Sequence, residues 1–141
     1  MKTSLVTSVV FLLLLIPGIC FANGGTLYNA SNATVGKIDN SGTVRDASNK
    51  TLGRISSDGR IYNASNMPVG KIDSDGTIRN ASNATIGKIS GDGTVRNASN
   101  ASLGKIDNGS VRNASNASIG KTDRSVKKEW AAVFYFFNFF K

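Results

Sequence analysis

The sequence has no histidine and a single cysteine, Cys20, in 141 residues. Ser-His-Asp triads and His/Cys zinc sites are thereby excluded. A disulfide would need a second cysteine, so stapling is excluded as well. Proline occurs only as Pro17 and Pro68, and aromatic residues make up 8% of the chain. One long apolar run exists, and it lies at the start. Lys2 precedes Val9-Val10-Phe11-Leu12-Leu13-Leu14-Leu15-Ile16, Pro17-Gly18 breaks the run, and Cys20-Phe21-Ala22 offers small residues for a cleavage site before Asn23. Residues 1–22 therefore read as a secretory signal peptide, because a spanning helix needs roughly 20 apolar residues. Acylation of Cys20 is the alternative, with Ile19 standing where a small residue is required. Cleavage before Asn23 removes the only thiol.

Acidic residues are also scarce, 9 against 17 basic ones. Without Lys2 the balance is 16 to 9, about +7, which favours anionic partners such as lipid headgroups or acidic polysaccharide. Nucleic acid is disfavoured, because export separates the two and residues 23–124 hold only Tyr28 and Tyr62 as stacking platforms.

What the chain does have is a repeat. Copies begin at Gly25, Gly42, Gly59, Gly76, Gly93 and Gly109, a spacing of 17 four times and then 16. The missing residue falls between Ile106 and Gly109, which marks that stretch as a loop, since loops absorb deletions. Each copy has two short apolar stretches rich in β-branched residues. One centres on Leu27, Val44, Ile61, Ile78, Val95 or Val111. The other runs, for example, from Val35 to Ile38 or from Ile86 to Ile89, with Thr122 replacing isoleucine in the last copy. Neither reaches the length of a helix, so both are strands. Ala-Ser-Asn in every copy and Asn/Asp-Gly at most junctions supply the turns, because Asn and Gly tolerate left-handed backbone.

A glycine recurs in the second strand, at Gly36, Gly53, Gly70, Gly87, Gly104 and Gly120. Val35 and Ile38 are three apart and would face opposite ways on a flat strand, so a bulge at Gly36 is expected to turn both to one side. On that reading Gly87 holds a backbone conformation that a β-branched residue resists. The fold class is thus all-β: six two-stranded repeats in an antiparallel hairpin meander, with a β-solenoid as the alternative. The solenoid would stack Lys37, Arg54, Lys71, Lys88, Lys105 and Lys121 into a repelling ladder, and the turn chemistry favours the meander. Single copies bury too little to fold alone, so stability should build up from neighbour to neighbour along an open array. Removing residues 59–92 should then leave a smaller folded protein.

Three segments follow: a signal peptide at 1–22, a β-repeat domain at 23–124, and a basic-aromatic tail at 125–141. The column Lys37, Arg54, Lys71, Lys88, Lys105, Lys121 is a candidate polyanion contact, and Arg45, Arg79, Arg96 and Arg112 form a second series. Asp39, Asp73, Asp107 and Asp123 lie near enough in sequence to balance them. Repeated calcium sites are not expected, because the turn positions vary to Ser56, Ser90 and Asn108. The many Asn-x-Ser/Thr sequons are read as turn residues rather than glycan acceptors. The tail gathers Trp130, Phe134, Tyr135, Phe136, Phe137, Phe139 and Phe140, seven of the chain's eleven aromatics. It is too short to span a membrane as a helix. Contact with a membrane or partner, capping of the open sheet edge, and an export or assembly signal are its candidate roles.

The repeats, with the ending Lys127-Lys-Glu-Trp-Ala-Ala-Val-Phe-Tyr-Phe-Phe137, resemble small secreted bacterial β-repeat proteins of unassigned function. The resemblance implies an envelope location and a β-repeat fold, and it assigns no catalytic or binding residue and no cofactor. The expected function is non-enzymatic: a structural or adhesive role at the cell envelope. The alternative is a binding module for acidic glycan or lipid surfaces through the cationic columns. Self-association through sheet edges or the tail is a further expectation.

Overall fold

A computed structural model describes residues 24–140. The signal peptide expected at 1–22 lies outside the described residues. Twelve strands follow in order: β1 Gly25–Asn29, β2 Thr34–Ile38, β3 Thr43–Asp46, β4 Thr51–Ile55, β5 Arg60–Asn63, β6 Pro68–Ile72, β7 Thr77–Asn80, β8 Thr85–Ile89, β9 Thr94–Asn97, β10 Ser102–Asp107, β11 Ser110–Asn113 and β12 Ser118–Thr122. One helix, α1, covers Lys128–Tyr135. Every strand pairs antiparallel with its sequence neighbours, so the hairpin meander is the fold and the solenoid is not.

The array is not open. β1 pairs with β12, with Leu27 opposite Thr122 and Tyr28 opposite Lys121, and the sheet closes into a barrel. Residues beside this seam reinforce it: the Asp123 carboxylate accepts from Thr26 N–H at 2.9 Å, and the Ser125 hydroxyl donates to Gly24 O at 2.5 Å. Closure corrects two expectations. Among the described residues there is no free sheet edge to cap or to self-associate through, and the copies are bound in a ring rather than summed along a line.

The two turn types sit on opposite rims. Within each copy the first turn residue closes on itself: Asn29 Oδ1 accepts from Ser31 N–H at 2.9 Å and Ala33 N–H at 3.0 Å. Asp46, Asn63, Asn80, Asn97 and Asn113 do the same in their copies. The asparagine of each Ala-Ser-Asn is left-handed, φ 65–69°. Junction turns end on a left-handed glycine, as at Gly76, φ 91°. Where the fifth copy is one residue short, Asn108 and Gly109 are both left-handed, φ 54° and 92°, and Asp107 pairs directly with Ser110. That is a two-residue hairpin turn in place of the longer one, and the deletion falls in a loop as expected.

The bulge is present, with a different purpose for its glycine. Leu27 pairs with Gly36 and Tyr28 with Thr34, so Val35 is the extra residue. The same register shift recurs inside every copy. Gly36 and Ile38 both face inward and are buried, whereas Val35 is only partly buried against the core. Gly87 does not have a positive φ, so dihedral strain is not what selects glycine there. Space is: a Cβ on Gly87 would collide with Arg96 O across the strand and with the Phe137 ring.

About eight strands close on their own side chains, and a wider barrel leaves space along its axis. Here that space is filled by the tail. Ala131, Ala132 and Val133 are fully buried in one cluster with the inward Leu, Ile and Val residues of eleven strands. The small alanines let a helix sit among them. Body and tail are therefore one packed unit rather than separate segments.

Candidate functional site: an outer cationic belt and an aromatic plug

Strand alternation that turns Ile and Val inward turns the next residue outward. Lys37, Arg54, Lys71, Lys88, Lys105 and Lys121 accordingly project from β2, β4, β6, β8, β10 and β12. The intervening strands carry Arg45, Arg79, Arg96 and Arg112 on the same face, with Tyr62 on β5 and Tyr28 on β1. Register places Lys37 opposite Arg45, Lys71 opposite Arg79, Lys88 opposite Arg96, and Lys105 opposite Arg112. The two series expected from the sequence thus interleave into one belt around the barrel.

The belt is not uniform. On β6 and β7, Asp73 ties down Lys71 at 3.9 Å and Arg79 at 2.8 Å. The Arg54 guanidinium lies 4.3 Å from the centre of the Tyr62 ring, and Lys121 lies 5.7 Å from that of Tyr28. On β8 to β11 the acids are Asp107, exposed at the end of β10, and Asp92, in the turn between β8 and β9. Bonds from Thr94 and, to a lesser extent, the charges of Lys105 and Arg96 hold the Asp92 carboxylate below its ordinary value. Arg96 and Arg112 brace themselves on the turn carbonyls of Asn100 and Asn116, each at 3.2 Å, and Lys88 and Lys105 are exposed. Among the described residues none of these four makes an ion pair. At 4.7–4.9 Å per strand, four adjacent strands present this charge over about 14 Å. Like charges set opposite one another cost stability, so an arc of this kind suits a polyanion better than it suits the fold.

Of the four acids expected to balance the column, only Asp73 touches it. Acids other than Asp46 gather at the junction rim or just beyond it, and there the carboxylates of Asp39, Asp58, Asp75 and Asp92 serve turns. Backbone N–H of Thr77 and its hydroxyl hold Asp75 below its ordinary value, and Thr94 does the same for Asp92. In Asp58 the hydroxyl of Ser56 and the N–H of Arg60 have that effect. Burial pushes Asp39 up, but bonds from Ser41 and Thr43 outweigh it and lower the value. No group of three or more His, Cys, Asp or Glu converges as a metal site among the described residues.

The tail residues lie at a different place from the belt. Lys128 and Glu129 sit beside the junction turns at 74–76 and 89–91, and Trp130 beside the turn at 56–59. α1 therefore enters at the junction rim. Its far end and the residues after it spread outward at the level of the second-strand glycines. Phe134 lies against Gly36, Tyr135 against Gly120, Phe136 against Gly104, Phe137 against Gly87, Phe139 against Gly70 and Phe140 against Gly53. A Cβ at any of the six would stand 3.1 Å or less from its ring. The expectation of an outward aromatic contact face is corrected accordingly: Trp130 and Phe140 are buried, the other rings are partly buried, and only Asn138 in this stretch is exposed. The Tyr135 hydroxyl donates at the seam, 2.6 Å from Tyr28 O and 3.1 Å from Lys121 O. Sequence reasoning missed this pairing. Its signal was numerical, six second-strand glycines and six rings after Val133.

Fold and site define a class: a closed antiparallel barrel of hairpin repeats, plugged by its own C-terminal tail and basic on its outer face. The chain belongs to the family described as "5-fold beta-flower protein", whose match covers residues 22–140. This chain closes on six hairpins. No curated protein and no solved structure is found to match it.

Proposed function

We propose that the protein is a non-enzymatic, exported module with an adhesive role at the cell envelope, holding acidic polysaccharide through its outer belt. The observation that carries this reading is the arc of Lys88, Arg96, Lys105 and Arg112, outward on four adjacent strands and, among the described residues, in ion-pair contact with no acid. A rigid closed sheet holds these cations at fixed spacing, which a repeating polyanion can match without ordering the protein. The barrel is not suited to crossing a membrane itself. Its strands have 4 to 6 residues and a charged outer face, whereas spanning strands need about 9–11 with an apolar one. Membrane contact through the tail is not part of the reading, because the tail's rings are engaged inside the barrel.

The test is retention of the full mature chain on immobilised heparin as an acidic-polysaccharide probe. Replacing all four cations with Gln should lower the salt needed for elution by at least half, since exposed charge pairing is screened by salt. Lys37→Gln with Arg45→Gln, on the other side of the barrel, removes half as much charge and should shift it by far less than half as much. Shifts in proportion to the charge removed would reduce the arc to its net charge and sink the assignment. Binding to anionic vesicles but not to heparin would transfer the arc to lipid headgroups.

A further inference from the structure

The hairpins are close copies, and each joins the next through the same ladder. A ring of five or seven would satisfy the same backbone hydrogen bonds, so the sheet alone does not say where to close. The tail does. From Phe134 to Phe140 the rings visit Gly36, Gly120, Gly104, Gly87, Gly70 and Gly53 in that order, which is one circuit of the barrel. No hairpin receives two rings and none is left without one. The single non-aromatic residue in the circuit, Asn138, is exposed and left-handed, φ 54°, where the chain steps from Gly87 to Gly70. Tyr135, the one polar ring of the six, falls on the last strand and bonds across to the first.

We infer that the barrel lumen is a binding site for an aromatic segment with one ring per hairpin, and that the six-ring tail fixes the number of repeats at which the sheet closes. The inward glycine of each β-bulge is the receptor: it leaves room for a ring edge that any side chain would fill. The ligand is the chain's own C-terminus, and its chemistry is a run of Phe or Tyr interrupted where the backbone must turn.

The test changes repeat number and ring number separately in the complete mature chain. Deleting residues 59–75 removes β5 and β6 with Gly70, the partner of Phe139, and rejoins Asp58 to Gly76 in the native Ser-Asp-Gly junction. In the six-repeat protein, Phe139→Ser should lower the melting temperature. In the five-repeat protein, which has one ring too many, the same substitution should raise it. A lowering in both backgrounds, or a five-repeat chain that folds with neither tail, overturns the inference. A second measurement needs no deletion. Benzoylphenylalanine in place of Phe137 should crosslink within residues 76–92, and in place of Phe139 within residues 59–75. Crosslinks scattered over all repeats would show that rings do not select hairpins, and would overturn the inference independently.

Discussion

Of the six rings set against glycines, only Tyr135 ends in a polar atom, and that atom lies where first and last strands meet. Burial pushes its phenol up to about 12. The folded state thus keeps a proton that the unfolded chain releases near its ordinary value of 10.0. Stability from this group is complete below pH 10 and is lost as pH rises toward 12. Tyr135→Phe should cost about 0.5–1.5 kcal/mol near neutrality, the worth of a hydrogen bond. The gap should then close on the alkaline side, because Phe has nothing to ionise. Urea midpoints of both proteins from pH 7 to 11.5 would check this. A gap that stayed constant across the range would mean that the hydroxyl is not buried at the seam.

At the level of the hairpin, much of the structure was legible in the sequence. Valine and isoleucine at fixed offsets gave the strands, and Ala-Ser-Asn and Asp-Gly gave the turns. The shortened copy marked the stretch between Ile106 and Gly109 as a loop. These are local properties, each decided within a few residues. The part that was not legible is the role of the second-strand glycine, which depends on a ring 50 or more residues away in the case of Gly87 and Phe137. Glycine in a strand signals a bulge or a close approach, and here it is both. One local device carries each hairpin and can be isolated. Asn97 Oδ1 accepts from Ser99 N–H at 2.9 Å and Ala101 N–H at 3.0 Å, and no other side-chain acceptor serves them. Asn97→Ala should therefore destabilise the protein by about 1–2 kcal/mol, whereas Ser99→Ala, whose hydroxyl makes no bond in the turn, should change little. Equal losses in a denaturation series would assign the effect to the exposed tip rather than to the turn's own hydrogen bonds.

At the scale of the molecule, the decisive fact is closure, and no single copy contains it. Read as a line, the six copies have two ends, and the end strands should be the weakest part of the fold. Joined as a ring, they have none: β1 is paired on both sides, with β2 and with β12, as β6 is with β5 and β7. Residues after β12 strengthen the difference, since Asp123, Ser125 and Tyr135 all act beside the join. Hydrogen exchange distinguishes the two pictures, because the protection of an amide reports the free energy needed to open its part of the structure. In the native protein, peptides covering 25–29 and 118–122 should exchange as slowly as those covering 68–72 and 77–80. Asp123→Ala, which removes the acceptor for Thr26 N–H, should then release β1 and β12 ahead of the other strands. That variant makes the argument specific, because in an already open meander those strands would exchange early with or without the carboxylate. Early exchange confined to β1 and β12 in the unmodified protein would show that the ring does not close in solution, and the six-ring plug would then have no closed site to fill.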